Sequence, residues 1–249
     1  MQPDTGTHTH TGTDSGTPPT SPRPSKPLKD MRRFWRVLLA VVAPLPMTGM
    51  GLSYILSPVD GGSSFEATVT AYTGHLDQAR VTQYLGVPFL VLLIPATFAV
   101  IWVSRRGAPR LTTAGALLAL LGQLAGFPLN QGGDLLAYMT AKRGLDVPTV
   151  AALQKALEED PLALTGGLLF IVGIVLGLLL LGLALWRSGA APAWAGIALA
   201  LGGFTHPFMP GHIAAGIGLL VAAAGFAGAG WALLRMSDDD FDRAPGRPA

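Results

Sequence analysis

Residues 161–186 read PLALTGGLLFIVGIVLGLLLLGLALW, a stretch of 26 residues without a charged side chain. An α-helix rises about 1.5 Å per residue, so this stretch is long enough to cross the hydrocarbon core of a bilayer, which is roughly 30 Å thick. Apolar residues follow one another almost without interruption, whereas a transmembrane β-strand alternates apolar and polar residues. The stretch therefore predicts a transmembrane helix, since lipid offers no partner for unpaired backbone groups.

Four more charge-free runs surround it, at residues 37–59, 81–104, 111–133 and 188–234. The last run has 47 residues, which is too long for one helix. Pro207, Pro210 and Gly211 lie near its middle and favour a turn there. We therefore predict an all-α integral membrane protein that forms a six-helix bundle.

The basic residues predict the orientation of this bundle. Of the 17 lysines and arginines, 13 fall on one side of the predicted crossings and four on the other. The four are Arg80, Lys142, Arg143 and Lys155. Short cytoplasmic loops are enriched in Lys and Arg. We therefore expect a multi-pass protein of the cell (plasma) membrane with both termini in the cytoplasm.

Composition divides the chain into a membrane domain and two tails. Residues 1–33 are rich in Thr, Pro, Ser and Gly and are predicted to be a disordered cytoplasmic tail, as are residues 236–249. Residues 34–235 form the six-helix transmembrane domain. The basic sequence after Met31 offers an alternative start of translation. The excess of Arg over Lys, with abundant Ala, Gly and Leu, is typical of a GC-rich bacterial genome.

Two segments on the predicted outer side have the pattern of amphipathic helices. Residues 60–84 contain Ser63 and Glu66, which form a capping-box pattern, followed by apolar residues at helical spacing. Residues 134–160 are similar, with Gly144 interrupting the pattern and Asp146 restarting it. These helices are expected to cap the bundle at the lipid headgroups. The alternative is a lid over a cavity.

Internal similarity suggests a parallel repeat. A shift of 81 residues aligns Arg106 with Arg187 and Gly122 with Gly203, and both copies have the same orientation. Within the predicted fourth crossing, Gly173 and Gly177 form a small-xxx-small pair, which allows two helix backbones to approach closely. We expect this pair to pack within the bundle.

The predicted crossings carry no acidic or basic residue at their centres, which argues against a proton-coupled transporter, a pump or a voltage sensor. Gln123 is the deepest strongly polar residue, and an interhelical hydrogen bond is the simplest role for it. Other polar residues fall at the outer ends of the crossings and could line a pocket. The catalytic candidates are Asp134, His206 and His212, and the ligand-binding candidates are His75, Asp77, Gln123 and Asn130.

These residue types permit several chemistries. Two histidines and a carboxylate suit a divalent metal, but the spacing of His206 and His212 matches no standard ligand pair. The HExxH and GxSxG motifs are absent, as is cysteine. We therefore predict neither a metal site nor a cofactor. A carboxyl such as Asp134 or Asp60, shielded from water, could instead protonate an apolar substrate.

In its overall pattern the chain resembles the uncharacterised multi-pass membrane proteins of GC-rich bacteria. The resemblance rests on residues 184–189, which read ALWRSG before a short turn, and on an outer helix that precedes each inward crossing. It covers residues 34–235. It implies a six-helix membrane fold and transfers no functional residue.

Three functions fit these observations. The first is a non-catalytic membrane subunit, accessory protein or binding protein for a lipophilic ligand. The second is a small-molecule permease, and the third is a membrane-embedded enzyme acting on a lipid or isoprenoid. The lack of intramembrane charge and of a catalytic motif favours the first, so an enzyme is not the leading hypothesis. The expected partners are the lipid bilayer and either another membrane protein or a second copy of the chain. We do not expect nucleic-acid binding, because the sequence has no basic face interleaved with aromatic residues.

Overall fold

A computed structural model describes residues 30–129 and 133–242, without the side chains of residues 127–129, 205 and 206. All regular secondary structure in these residues is helical, which confirms the all-α part of the predicted fold class. The helices are α1 Arg32–Val42, α2 Leu45–Ile55, α3 Phe65–Gly74, α4 Leu76–Ser104, α5 Pro109–Leu129, α6 Gly133–Arg143, α7 Val147–Glu159, α8 Pro161–Ser188, α9 Ala193–Thr205, α10 Gly211–Arg235 and α11 Asp238–Asp242, with a 3-10 helix at His206–Phe208.

Four helical segments within the described residues are long and apolar enough to cross a membrane. They are Arg32–Ile55, which combines α1 and α2, and the helices α4, α8 and α10. Two further apolar helices, α5 and α9, pack against them, α5 mainly on α8 and α9 on both α8 and α10. All six overlap charge-free runs of the sequence, and residues 206–210 separate α9 from α10, as the prolines in the last run suggested.

Proline shapes the first two segments in different ways. Pro44 has no backbone N–H, and α1 ends just before it while α2 begins just after it. Pro88 and Pro95, by contrast, lie inside an uninterrupted α4. A break of the helix at proline is therefore found in the first segment, whereas the second segment remains one helix.

Glycine brings the helix backbones together, as the small-xxx-small pattern predicted. A Cβ atom built on Gly173 of α8 would lie 2.6 Å from the Cα atom of Gly122 in α5. One built on Gly202 of α9 would lie 2.3 Å from the backbone nitrogen of Ala222 in α10. No side chain fits at such distances, so these contacts need glycine. The outward faces stay apolar, with Leu121 63% exposed, as expected for a surface in contact with lipid.

Three short helices cover one end of the bundle, which we call the capped end. Here α3, α6 and α7 contact one another around a second apolar cluster that includes Tyr72 and Ala137. Residues 134–160 form two helices: Gly144 ends the first at φ +61°, and the Asp146 side chain accepts a hydrogen bond from the Thr149 N–H.

Two details of the first outer segment differ from the prediction. The N-cap of α3 is Ser64, whose Oγ accepts from the Ala67 N–H at 3.2 Å, whereas Ser63 donates to the Asp60 carbonyl. The segment is also not one helix, since it breaks at His75 and continues as α4. Because residues 134–160 form both α6 and α7, the capped end has three short helices in place of the two predicted.

The opposite end carries Arg36, Arg105, Arg106 and Arg187, and we call it the arginine end. Gly107 and Ser188 are in contact there, which places the α4–α5 and α8–α9 connections side by side. The structure has a short helix, α11, within the segment predicted to be disordered from residue 236 onward. Phe241 of this helix is only 6% exposed. Residues 1–29 and 243–249 lie outside the described residues, so disorder there stays a prediction.

Candidate functional site

A cavity of about 490 Å³ opens between α2, α4, α8 and α10 near the capped end, and we call it the His212 cavity. Its walls are mostly apolar. They include Met47, Phe89, Phe170, Ile174, Val175 and Ala215. Tyr54 from the last turn of α2 and His212 from the first turn of α10 add the polar groups. The cavity thus combines an apolar interior with two polar rings at one end.

The local sequence fixes the position of His212. Gly211, which starts α10, has φ +75°, a conformation that glycine adopts without strain. The His212 ring packs against the Tyr54 ring with centroids 4.9 Å apart at 59°. Gly61 also lies close to the ring, because a Cβ atom there would be 3.2 Å from His212 Cδ2. The imidazole is therefore in contact with both an aromatic ring and a glycine loop.

One atom of this ring is left without a partner. His212 Nδ1 is buried and makes no hydrogen bond with any described residue. A buried polar atom without a partner costs free energy, commonly about 1–3 kcal/mol, and such atoms are few in folded proteins. His212 Nδ1 is therefore an unsatisfied polar atom in a residue that borders the cavity.

A second cavity of about 670 Å³, the Asp134 cleft, lies beside the first at the capped end. Leu164, Leu168 and Ile171 of α8 line its apolar side, and Ile171 also borders the His212 cavity. Its polar side comes from α3, α6, α7 and the loop before α3. The polar residues there are Ser63, Thr68, Asp134, Gln154 and Glu158. Gln154 Nε2 donates to Glu158 Oε1 at 2.7 Å, so this carboxylate already has a partner.

The Asp134 carboxyl connects the two cavities electrostatically. The residue is accessible through its cleft, but protein surrounds the carboxyl on most sides, and this desolvation raises its pKa. The charge of His212 opposes the shift, which places the two groups within electrostatic reach of each other. Burial, and then the negative charge of Asp134, raises the pKa of Tyr72 to about 12. Tyr72 therefore stays protonated at neutral pH.

The structure brings together only part of the predicted pocket. Asp134 and His212 border two neighbouring cavities, where the sequence suggested one shared pocket. His206 starts the 3-10 helix and its side chain lies outside the described part of the chain, as does the whole of Asn130. His75 and Asp77 are exposed at the α3–α4 junction and border neither cavity, and Asp77 pairs with Arg80 at 3.0 Å.

Gln123 is fully buried, and its Nε2 donates to Thr97 Oγ1 at 3.0 Å. This is the interhelical hydrogen bond that the sequence suggested, between α5 and α4. Gln123 borders neither of the two cavities. Its place in the structure is therefore that of a packing contact between helices.

Tyr54 was not among the candidates from the sequence. A tyrosine near the end of a crossing usually lies at the membrane interface, so its position alone gave no reason to select it. Only the contact with His212, 158 positions away in the chain, identifies it as part of a site.

The described residues contain no cluster of three or more His, Asp or Glu side chains that could hold a metal ion. The arrangement therefore offers apolar volume and hydrogen-bonding groups for a bound molecule. Comparison of the chain with known protein families, with curated proteins and with solved structures gives no match.

Proposed function

We propose that the protein binds a lipophilic molecule in the His212 cavity and does not transform it. The bound molecule would have an apolar body with a hydroxyl or carbonyl group at one end. Its body would contact Met47, Ile174 and Val175, and its polar end would hydrogen-bond with His212 Nδ1. The observation that carries this proposal is that His212, whose Nδ1 atom has no partner among the described residues, borders a largely apolar cavity.

The size and the walls of the cavity support this class of ligand. Ligand pockets commonly measure about 300–1,000 Å³ and are mostly apolar with a few polar groups that set the orientation. The His212 cavity, at about 490 Å³, fits that description. The charge-free spans on either side suit a molecule that reaches the site from the bilayer.

A binding role is favoured over catalysis by the surroundings of His212. A catalytic base is usually oriented by a hydrogen bond from its second ring nitrogen to a carboxylate or carbonyl group. The His212 ring packs against the Tyr54 ring, and its Nδ1 atom has no hydrogen-bond partner among the described residues. The Asp134 carboxyl interacts with it only through its charge.

The same proposal includes a six-crossing topology in a bacterial cell membrane, with both termini in the cytoplasm. Ser63, which precedes α4, and Gln154, which follows α5, line one cleft at the capped end. This supports a path in which α4 leaves the capped end and α5 returns to it. The contact between Gly107 and Ser188 at the other end supports the same path. The helices α7, α8 and α9 also correspond in order to α3, α4 and α5 when the chain is shifted by the 81 residues of the proposed repeat.

Native mass spectrometry in a mild detergent tests the binding. Farnesol is a suitable probe, since it has an apolar chain and one hydroxyl group. The Ala215→Leu variant fills the cavity from α10, and Ala214→Leu is the matched control, because only Ala215 borders the cavity. We expect wild type and Ala214→Leu to bind farnesol in a one-to-one complex and Ala215→Leu to bind it at least about tenfold more weakly. Equal binding by all three would contradict the proposal.

A second candidate function, a lipid-modifying enzyme, is favoured by one observation: the Asp134 carboxyl, with its raised pKa, lies within electrostatic reach of His212. A carboxyl whose pKa is raised keeps its proton to higher pH than usual and can act as a general acid. The same mass spectra separate the two functions. A change in the mass of the bound molecule during incubation, lost in Asp134→Asn, would establish the enzyme.

A further inference from the structure

The C-terminal acidic segment, residues 237–242, lies on the arginine end of the bundle and is held there by several ion pairs. Its sequence is SDDDFD. Asp238 Oδ1 lies 2.5 Å from Arg36 Nη2. Arg32 Nη1 lies 3.6 Å from both Asp239 and Asp242, and Arg106 Nη1 lies 3.7 Å from Asp240. Each of the four aspartates thus faces an arginine.

Phe241 anchors this segment without supplying a charged group of its own. Its ring packs against the Trp102 ring with centroids 5.0 Å apart. Its carbonyl accepts hydrogen bonds from Trp102 Nε1 at 3.0 Å and from Arg105 Nη2 at 2.9 Å. Arg36 Nη1 also donates to the Met236 carbonyl. The segment is therefore bound by shape as well as by charge.

The arginines beneath this segment have the chemistry of a phosphate site. Arg32, Arg36, Arg105 and Arg106, which we call the arginine site, all lie at the ends of membrane-length helices, where lipid headgroups are found. A guanidinium group pairs with phosphate through two parallel hydrogen bonds.

Two donors of the arginine site are not used by the acidic segment. Arg36 Nε and Arg105 Nε are buried and have no hydrogen-bond partner among the described residues. The Arg36 side chain is only 12% exposed, so little water reaches it. The carboxylates and carbonyls of the segment therefore leave part of each guanidinium unsatisfied, and an anion with more acceptor oxygens could bind both Nη and Nε atoms.

We propose that the arginine site binds the phosphate group of an anionic lipid and that the acidic segment occupies this site in competition with the lipid. The segment supplies four carboxylates in place of a phosphate and uses Phe241 to hold them. Release of the segment exposes the arginines, and the lipid phosphate then takes the positions of the Asp238 carboxylate and the Phe241 carbonyl. This regulation is independent of the His212 cavity at the other end.

Binding of phosphatidylglycerol by the full chain tests the competition, with phosphatidylcholine as the uncharged comparison. One variant replaces Asp238, Asp239, Asp240 and Asp242 by asparagine. A second, Phe241→Ala, keeps every charge and removes only the anchor. We expect both variants to bind phosphatidylglycerol at least about tenfold more tightly than wild type, and phosphatidylcholine with no change. The gain should disappear when Arg36→Gln and Arg105→Gln are added.

A charge-matched control replaces four exposed acids outside the acidic segment, namely Asp60, Glu66, Asp77 and Glu159, by their amides. Its affinity for phosphatidylglycerol should equal that of wild type. No gain in the Phe241→Ala variant, or an equal gain in the control, would overturn the competition. Inorganic phosphate is the last arm: if it alone displaces phosphatidylglycerol at millimolar concentration, the site is one for free phosphate and the lipid assignment fails.

Discussion

Thr97 Oγ1 accepts a hydrogen bond from Gln123 Nε2 at 3.0 Å and donates its own proton to the Leu93 carbonyl at 2.8 Å. Both side chains are fully buried between α4 and α5. The two residues are not equivalent. If Gln123 is removed, Thr97 still donates to the Leu93 carbonyl. If Thr97 is removed, the Gln123 amide N–H group loses its only acceptor among the described residues. The Gln123 Oε1 atom already has no partner among the described residues.

The first prediction follows from this asymmetry. Thr97→Val should lower the free energy of unfolding by about 1–2 kcal/mol, since it leaves a buried amide donor unpaired. Gln123→Leu should change it by less than about 1 kcal/mol, because hydrogen bonds between membrane helices contribute little on average. The double variant should then be as stable as Gln123→Leu alone. Reversible unfolding in mixed detergent and SDS micelles measures all three, and simple additivity of the two changes would contradict the prediction.

Close contact between α5 and α8 gives a second prediction. Gly173→Ala should lower the stability by about 1–3 kcal/mol, because its Cβ atom would overlap the backbone of Gly122. Gly167 is on the same helix, and no atom lies within 4 Å of a Cβ built there. Gly167→Ala should be neutral or stabilise by up to about 1 kcal/mol through helix propensity. If both variants unfold at the same temperature, these two helices do not pack through Gly173.

Replacing the His212 ring tests its role in ligand binding. His212→Phe keeps an aromatic ring against Tyr54 but removes both ring nitrogens. We expect the dissociation constant for farnesol to rise about tenfold, the loss of one hydrogen bond, while the melting temperature is unchanged or higher because no buried nitrogen is left unpaired. Titration followed by native mass spectrometry measures the first, and circular dichroism the second. A drop in melting temperature with unchanged affinity would assign His212 to packing alone.

The sequence was most informative where the lipid environment restricts which secondary structures are possible. A charge-free run such as residues 161–186 has to be helical, and the glycines that repeat along it indicate which face packs. It was less informative where two neighbours offer the same chemistry: both Ser63 and Ser64 can cap a helix, and only the extended backbone of Ser64, at φ −65° and ψ 161°, decides between them. Pro44 and Pro88 likewise look alike in sequence, yet only the first ends a helix.

Contacts between distant residues were beyond sequence reasoning. Nothing local indicates that Tyr54 meets His212, or that residues 237–242 return to the first helix. The second contact did leave a signal, since four aspartates follow a span whose neighbours are rich in arginine, and opposite charges of that density attract one another. The composition of residues 236–249 suggested disorder because it includes few large apolar residues. One of these few, Phe241, is enough to anchor the segment.

The raised pKa of Asp134 predicts how stability depends on pH. A carboxyl whose pKa is higher in the folded state contributes stability that is complete below its unfolded pKa of about 3.9 and is lost as the pH rises through the folded pKa. Asp134→Asn should therefore be slightly more stable than wild type at pH 7, by less than about 1 kcal/mol because the group remains open to solvent. The advantage should vanish near pH 3.

Asp146 provides a control of opposite sign. Hydrogen bonds from the side chain and then the backbone of Thr149 hold the pKa of its carboxyl below the usual value. Its contribution is present above the unfolded pKa and is lost as the pH falls through the folded pKa. Asp146→Asn should therefore be less stable than wild type at pH 7, with the difference closing on acidification. Melting temperatures measured from pH 3 to pH 8 distinguish the two carboxyls, and parallel curves for both variants would contradict the assignment.

The absence of cysteine makes the six-crossing topology directly measurable, since any introduced thiol is the only one present. Ser63, Lys155 and Ala190 are exposed, and each can be replaced by cysteine in turn. In the six-crossing topology, residues 63 and 155 lie on one side of the membrane and residue 190 on the other. If only the four longest segments crossed, residue 155 would lie opposite residue 63, and residue 190 would share its side.

A membrane-impermeant maleimide, applied to intact cells and then to opened membranes, reads out these positions. We expect Ser63→Cys and Lys155→Cys to react in intact cells and Ala190→Cys to react only after the membranes are opened, because the arginine-rich end should face the cytoplasm. Labelling of Ala190→Cys together with Ser63→Cys would rule out crossings by α5 and α9. The reverse pattern, with only Ala190→Cys reactive in intact cells, would keep six crossings and invert the protein.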